Sequence, residues 1–422
     1  MRLYIFQCFR LLGFIACCLM AATSALANND GADTSVTIEK DIRKYVINAD
    51  GSFIATNDVA VLINEERAVK VYAQYYFNYN RSLENLEVVE AFTQKPDGRK
   101  FAVQPDQIKE QQERGSADAP MFQDTLVKVV IFPDVAVGDR LIIRSRTHRH
   151  TALFAQHFES LSNPTFHPTK QYTLVYDLPQ SMPLYADARG FKASDPVTMA
   201  GRTICRWDNI PDKKARIENG SVAYQDYGQY LAVSTFPDFK AFAQAYDARA
   251  KSRVTAETSQ LAQTITANLV GPREKAIALN DWVRKNIRYV AVYVGAGSVV
   301  PSTVETILAN RYGDCKNHVA LLESMLSAVG IESTPVLLNA ENAYTLPKVP
   351  TLGVINHVMT YVPALDLSLD STAEAVAGGY LPIFNPDKPI VFSKSGTLGR
   401  TPSTQGGKIV ASCEKDLIFW VI

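Results

Sequence analysis

The sequence predicts an α+β protein in which an all-β, sandwich-like domain precedes a second domain of helices followed by strands. Short runs rich in Val, Ile, Phe and Tyr, separated by turn dipeptides, fill residues 33–235. Helical stripes with start signals begin near residue 240, and β-patterned runs follow after residue 330. At 422 residues the chain is long enough for two or three separate cores.

The first 27 residues have the composition of a targeting segment. Arg2 and Arg10 come early, an apolar run follows, and small residues end at Ala25-Leu26-Ala27, as in a secretory signal peptide with an A-x-A cleavage site. The alternatives are an uncleaved N-terminal anchor and a lipoprotein cleavage before Cys17. We expect an exported protein, periplasmic or secreted, with no transmembrane segment in the mature chain.

The charge balance gives no electrostatic case for binding nucleic acid or an acidic membrane surface. The chain has 43 basic and 43 acidic side chains, and loss of the first 27 residues leaves 41 basic and 43 acidic ones. We therefore expect no nucleic-acid partner.

Three cysteines remain after the predicted cleavage: Cys205, Cys315 and Cys413. An odd number in an oxidising compartment leaves at least one thiol free or paired with another chain. Pairing of Cys205 with Cys413 is an alternative that the sequence leaves open.

Turn dipeptides divide the N-terminal domain into short strands. They lie at Asp50-Gly51, Asp97-Gly98 and Gly138-Asp139, between β-rich runs such as "AVKVYAQYYFNY" and "LVKVVIFP". His148 and His150 would share one strand face, a spacing that suits a metal, but no third ligand with clear geometry is nearby. We predict neither a metal site nor a cofactor.

The second domain begins with helices and is predicted to span residues 240–395. Asp238 precedes a helical stripe, Leu261, Ile265 and Leu269 continue the pattern, and Gly271-Pro272 opens another helix. Three β-patterned runs follow, "TPVLLNA", "NHVMTYV" and "LDLSLDST". Residues 396–422 form a C-terminal tail whose fold the sequence does not predict and which is suggestive of truncation.

The helix that follows "NRYGD" begins with a cysteine. Ser302 and Glu305 form a predicted capping box for a short helix that ends near Asn310, after which Gly313 allows a tight turn. Asp314 is then a good N-cap, which places Cys315 at the first helical position.

Cys315 has two interpretations. Unsatisfied backbone N–H groups and the helix dipole favour a thiolate there and could stabilise an oxyanion. The alternative is a buried and inert thiol, since cysteine is among the most buried residue types. A nucleophilic Cys315 requires a base and a group that orients the base.

His357 and Asp370 are the candidates for those two roles. If Pro363-Ala364 forms a two-residue hairpin loop, Val362 pairs with Leu365 and His357 faces Asp370 from the same side of the sheet. A carboxylate there would fix the imidazole tautomer and raise its basicity. A longer loop or an ordinary cross-strand polar pair are the alternatives. His318, one turn along the cysteine helix, is not the expected partner.

These motifs resemble a known family. "GDCK" at a helix start, "NH" opening a strand and "LDST" on the next strand are similar to the transglutaminase-like superfamily of papain-type Cys-His-Asp proteins, over about residues 270–390. The preceding region, with "AFTQKPDGRKFAV" and "FPDVAVGDRL", resembles the N-terminal domain of unknown function that bacterial members often carry. Relatives often have "GDCKDK" where this chain has "GDCKNH", and an aromatic residue where it has Leu369.

The resemblance implies an N-terminal β domain before a cysteine-proteinase-type core. It implies Cys315 as nucleophile, His357 as general base and acid, and Asp370 as the orienting carboxylate. The expected function is thiol-dependent acyl transfer from amide or peptide bonds of a protein or peptide substrate, to water or to an amine. The β domain is then a candidate contact for an envelope partner. The alternative is a non-catalytic binding or assembly protein that retains this fold.

Overall fold

A computed structural model describes residues 32–113, 122, 124–212, 220–291 and 299–403 of the chain. The chain divides into two units, Met1–Thr235 and Phe236–Ile422. The predicted signal peptide, Cys413 and residues 404–422 of the predicted tail lie outside the described residues. A β-rich first unit and a second unit of helices and a sheet confirm the predicted fold class.

The first unit is built from fifteen strands and two short helices among the described residues. They are β1 (Val36–Ile47), β2 (Phe53–Ile63), α1 (Glu66–Tyr72), β3 (Gln74–Asn80), β4 (Glu84–Gln94), β5 (Lys100–Ala102), β6 (Ile108–Gln112), β7 (Thr125–Ile131), β8 (Arg140–Arg149), β9 (Glu159–Ser162), β10 (Tyr172–Pro179), β11 (Tyr185–Arg189), β12 (Phe191–Ala193), β13 (Val197–Met199), β14 (Arg202–Asn209), α2 (Tyr224–Tyr227) and β15 (Tyr230–Ser234).

Three sheets organise these strands. The largest has the order β12–β14–β10–β1–β2–β8–β4–β5, with β13 also paired to β14, and its β1–β10 pair is parallel. The two smaller sheets have the orders β3–β7–β6 and β11–β15–β9. The predicted turns occur where expected, because Gly51, Gly98 and Gly138 all adopt positive φ. Part of the predicted strand "AVKVYAQYYFNY" is instead helical, since α1 packs Ala68, Val69 and Tyr72 against the core at helical spacing.

The second unit places its helices before most of its strands. Its elements are α3 (Phe239–Ala250), α4 (Ala256–Thr266), α5 (Pro272–Asn286), β16 (Arg288–Tyr289), α6 (Val304–Asn310), β17 (Tyr312–Gly313), α7 (Cys315–Ala328), β18 (Thr334–Leu338), β19 (His357–Val362), β20 (Leu367–Leu369), β21 (Pro389–Phe392) and β22 (Leu398–Arg400). Strands β18–β22 form an antiparallel sheet of order β20–β19–β18–β21–β22, and β16 pairs with β17. The sheet therefore continues through Arg400, past the predicted domain end at residue 395.

Most helix starts in this unit follow the sequence signals. Asp238 caps α3 by accepting a hydrogen bond from the Ala241 backbone, and α5 opens at Pro272 as predicted. Two details differ. The N-cap of α6 is Thr303 rather than Ser302, because the Thr303 hydroxyl accepts from the Thr306 backbone. Helix α4 ends at Thr266, so Leu269 lies beyond it.

One apolar cluster joins α4–α7 to the end of the sheet. Buried side chains from α5, α6 and α7 meet Val362, Leu367 and Leu369 from β19 and β20. This packing fixes the helix that begins at Cys315 against the strand that begins at His357. Among the described residues, none of the helices is long and apolar enough to cross a membrane.

Candidate active site

Cys315 is the first residue of α7, as the sequence predicts. The Asp314 carboxylate accepts a hydrogen bond from the Asn317 backbone at 3.1 Å, which satisfies one of the free N–H groups of the first turn. The Cys315 side chain is half-buried and its thiol is free. The thiol therefore stands at the positive end of a fourteen-residue helix.

The turn before Cys315 is held by backbone pairing. Arg288 donates to the Arg311 carbonyl at 2.9 Å, and Val290 donates to the Gly313 carbonyl at 2.9 Å. The left-handed residue of this turn is Arg311, with φ 59°. Gly313 is required for close packing, since a Cβ there would lie 2.6 Å from the Asn317 Cβ.

Lys316 places a positive charge beside this helix start. Its ammonium group forms an ion pair with Asp314. Burial opposes the charged form, but Asp314 and Cys315 beside it raise the pKa of Lys316 above its ordinary value. Lys316 therefore stays protonated, and its charge is paired with the Asp314 carboxylate next to the thiol.

His357 begins β19, where it pairs with Leu338 of β18 and is 7% exposed. Its Nε2 lies 2.9 Å from Oδ2 of Asp370, which is 4% exposed. Cys315 lies close enough to the same imidazole to add to the rise in its pKa. Because Nε2 is engaged by the carboxylate, Nδ1 is the nitrogen that is left to face the thiol. The structure thus brings together the three residues that the sequence singled out.

The observed register of the strands that carry His357 and Asp370 differs from the predicted one. Val362 pairs with Leu367 rather than with Leu365, because a 3₁₀ turn, Pro363–Leu365, and a left-handed Asp366 lengthen the loop. The shift is two residues, and a shift of two keeps each side chain on its original sheet face. The carboxylate therefore approaches the imidazole diagonally, just past the end of β20, rather than from directly opposite.

The two buried groups shift each other's ionisation. Burial by itself would lower the pKa of His357, but the Asp370 charge and hydrogen bond, with a smaller effect of Cys315, raise it to about 10. Burial by itself would raise the pKa of Asp370, but His357 and the hydrogen bonds from Thr372 lower that pKa to about 2. The pair is therefore an imidazolium and a carboxylate near neutral pH.

Two further residues hold the Asp370 carboxylate, and the sequence analysis missed both. Thr372 donates to Oδ1 from its backbone N–H at 3.0 Å and from its hydroxyl at 2.6 Å. The Asn385 amide donates to Oδ2 at 2.7 Å. The Asp-x-Thr spacing is a local turn signal that could have indicated Thr372. Asn385 lies fifteen residues away and has no such signal.

His318 is fully buried and does not take the place of His357. Its Nδ1 donates to the Ser371 carbonyl at 3.0 Å, and burial, which outweighs nearby carboxylates, lowers the pKa of His318 to about 4. A neutral imidazole thus fastens the turn that carries Asp370.

The histidines of the first unit do not form a metal centre. The rings of His148 and His150 lie 6.2 Å apart, His157 contacts Thr235, and His167 bonds to Tyr72 and to the Asp33 carbonyl. Within the described ranges, no three His, Cys, Asp or Glu side chains are grouped so that they could hold a metal ion.

Fold and site together define an α+β unit in which an imidazole is hydrogen-bonded to a carboxylate and is influenced by a thiol at a helix start. Residues 259–363 match the transglutaminase-like superfamily, and residues 49–212 match a domain of unknown function with solved structures (DUF3857). The second unit thus contains a transglutaminase-like region, and a DUF3857 domain precedes it in the chain. No curated protein matches the chain by sequence.

Solved structures support the fold. A crystal structure from Parabacteroides distasonis, described as "a putative protease", has a TM-score of 0.75 and 21% identity, over 88% of this chain and 72% of that chain. An M1 zinc metallopeptidase from Deinococcus radiodurans matches with a TM-score of 0.25 and 12% identity, over 48% of this chain and 42% of that chain. The first likeness is one of fold, and the second carries no argument.

Proposed function

We propose that this protein is an exported enzyme that uses Cys315 for acyl transfer from amide or peptide bonds. The observation that carries the proposal is the hydrogen-bonded pair of His357 and Asp370 at 2.9 Å, whose imidazole also senses Cys315 at the start of α7. A thiol, a base and an orienting carboxylate are the parts that covalent acyl chemistry needs. The fold likeness to the structure described as "a putative protease" agrees with this choice.

The chemistry follows from the positions of the groups. Nδ1 of His357 accepts the thiol proton as Sγ of Cys315 attacks the carbonyl carbon of the substrate. Backbone N–H groups of the first turn of α7 face the oxyanion that forms. His357 returns the proton to the leaving amine, which leaves a thioester on Cys315. Water or a second amine, deprotonated by His357, then attacks the thioester and releases the thiol.

Acylation by an activated ester tests this function directly. We expect p-nitrophenyl acetate to release a burst of p-nitrophenolate and to leave one acetyl group on Cys315, read by mass spectrometry of peptides. Added glycinamide then distinguishes transfer from hydrolysis by the product it yields. His357→Ala should slow acylation by about 100-fold, because the proton acceptor is lost.

Cys205 provides the matched control. It is the other free cysteine of the described residues, and burial raises its pKa. Cys205→Ala should therefore leave the burst unchanged, and Cys315→Ala should abolish it. Equal acetylation of Cys205 and Cys315 would overturn the proposal in favour of a non-catalytic binding protein. A burst that survives Cys315→Ala would overturn it by assigning the acylation to another group.

Export is the part of the proposal that the N-terminal sequence supports. The arginines, apolar run and Ala25-Leu26-Ala27 predict cleavage after residue 27. N-terminal sequencing of protein from the cell envelope or medium should begin at Asn28, and a start at Met1 would contradict cleavage.

A further inference from the structure

We infer that Asn385 is a positioning residue of the candidate active site, acting through Asp370 on the His357 imidazole. The inference rests on the proposed function, and it concerns a residue outside the segment that matches the superfamily, which ends at residue 363. Asn385 contacts neither the thiol nor the imidazole in the contacts described above. Its role is to fix which oxygen of Asp370 the imidazole meets.

The geometry around Asp370 leads to this role. Each carboxylate oxygen receives two donors: Thr372 supplies both for Oδ1, while Asn385 and His357 share Oδ2. An ionised carboxylate only accepts hydrogen bonds, so the amide nitrogen of Asn385 must be the atom that faces it. Without Asn385, Oδ2 would have His357 as its remaining partner among these donors. The orientation of the carboxylate and of the ring would then be less constrained.

Asn385 is itself held firmly. It is 1% exposed, and its backbone N–H donates to the Pro382 carbonyl at 2.9 Å. Its backbone carbonyl accepts a hydrogen bond from the Thr401 hydroxyl at 2.6 Å. That hydroxyl in turn accepts a hydrogen bond from the Lys388 backbone N–H at 2.7 Å. The buried Lys388 ammonium group in turn binds the carbonyls of Glu341 and Ala343. A residue fixed from both sides can hold a carboxylate in one orientation.

Substitution by aspartate gives the sharpest test. In Asn385→Asp the new carboxyl group can donate to Oδ2 as the amide does when it is protonated, but it repels Asp370 when it is ionised. The rate of Cys315 alkylation by iodoacetamide is measured for Asn385→Asp and for wild type. We expect the ratio of the variant rate to the wild-type rate to be close to one at pH 5.5 and to fall about tenfold or more by pH 8. Asn385→Ala should be about tenfold slower throughout, because a hydrogen bond to a charged group is lost.

A control and a second readout separate positioning from damage to the fold. Asn339 is another buried asparagine of this unit, and its amide donates to the Val354 carbonyl at 2.8 Å without contacting Asp370. Asn339→Ala should cost stability but leave the pH dependence of alkylation unchanged. The second readout is the Nε2–H proton of His357 in NMR spectra of protein labelled with ¹⁵N-histidine, which should be protected from exchange in wild type and lose protection in Asn385→Ala.

The two readouts also separate this inference from the proposed function. If Cys315 is no more reactive than a free cysteine but the ring proton loses protection in Asn385→Ala, the enzyme proposal fails and positioning stands. If Cys315 depends on His357 but folded Asn385→Ala keeps both the wild-type rate and a protected ring proton, the inference about Asn385 is wrong. A rate ratio for Asn385→Asp that does not change with pH would also overturn it.

Discussion

At the scale of single residues, the candidate site depends on a buried charge pair. Asp370 and His357 are both largely inaccessible, yet four hydrogen bonds satisfy the carboxylate. Taking charges out of water is costly, and such a pair persists because each group has partners. Removal of one partner should therefore lower the free energy of unfolding, even though the pair as a whole adds little net stability.

Asp370→Asn tests this pair through stability. We expect it to lower the free energy of unfolding by about 3 kcal/mol near neutral pH, because the imidazolium loses its counter-charge. The raised pKa of His357 means that its contribution is full below its ordinary value of 6.5 and is lost as pH rises through about 10. The lowered pKa of Asp370 means that its contribution is lost as pH falls through about 2.

Urea unfolding of both proteins at several pH values measures the difference. It should be largest and nearly constant between about pH 4 and pH 6.5 and should shrink toward pH 10. A difference that does not depend on pH up to 10 would show that the two groups are not coupled as charges.

At the scale of elements, the two glycines that flank α7 have different structural roles. Gly313, before the helix, lacks space for a Cβ beside Asn317, whereas Gly330, after it, has φ +75° and open space around it. We expect Gly313→Ala to cost about 2 kcal/mol by overpacking and to slow alkylation of Cys315. Gly330→Ala should cost about 1 kcal/mol through backbone strain and leave alkylation unchanged.

Thermal unfolding and iodoacetamide labelling of the two glycine variants provide the check. If both variants reduce alkylation to the same extent, the effect comes from the stability of α7 as a whole and not from the turn that carries Cys315.

Glu323 in the middle of α7 gives the unit a second pH dependence. Burial raises the pKa of its carboxyl group to about 7, although Lys394 and the Ser333 hydroxyl oppose this and Asp247 adds to it. The folded state therefore keeps a proton that the unfolded state releases above about 4.5, so stability falls as pH rises from about 4.5 to 7. Glu323→Gln should remove this loss and be more stable than wild type by about 2 kcal/mol at pH 8.

Denaturant unfolding at pH 5 and pH 8 tests the Glu323 prediction. Glu332→Gln, at an exposed position nine residues along, is the matched control and should change neither value. Equal stability of wild type and Glu323→Gln at pH 8 would contradict an unfavourable buried carboxylate.

Local signals predicted most of this unit, and the failures have physical causes. The Asp314 cap and the first helical position of Cys315 follow from contacts within one turn, which sequence displays directly. The hairpin register depends on whether the Pro363 turn closes in two residues or four, and this choice is made by packing of Leu367 and Leu369 into the helical core. Asn385 reaches Asp370 only through the tertiary fold, so no spacing predicts it.

At the scale of the whole molecule, the chain has two units with separate cores. Leu174 is fully buried in the aromatic-rich core of the first unit, and Leu321 is fully buried among the helices of the second. We expect Leu174→Ala and Leu321→Ala each to cost about 3 kcal/mol. Because each core is made by its own unit, the loss should be confined to the unit that carries the substitution.

Hydrogen exchange followed by mass spectrometry measures this confinement. Leu174→Ala should speed exchange in peptides of residues 36–234 and leave those of α7 unchanged, and Leu321→Ala should do the reverse. Faster exchange in both units for either variant would show that they unfold as one cooperative body.

The reactivity of Cys315 as a function of pH tests the central claim most directly. The rate of iodoacetamide labelling of the Cys315 peptide should already be high at pH 6 in wild type and change little up to pH 8, because the imidazolium of His357 persists across that range. In His357→Ala the rate at pH 6 should be about 100-fold lower and should rise with pH as it does for a free cysteine. Identical profiles for the two proteins, both following a free cysteine, would contradict the account.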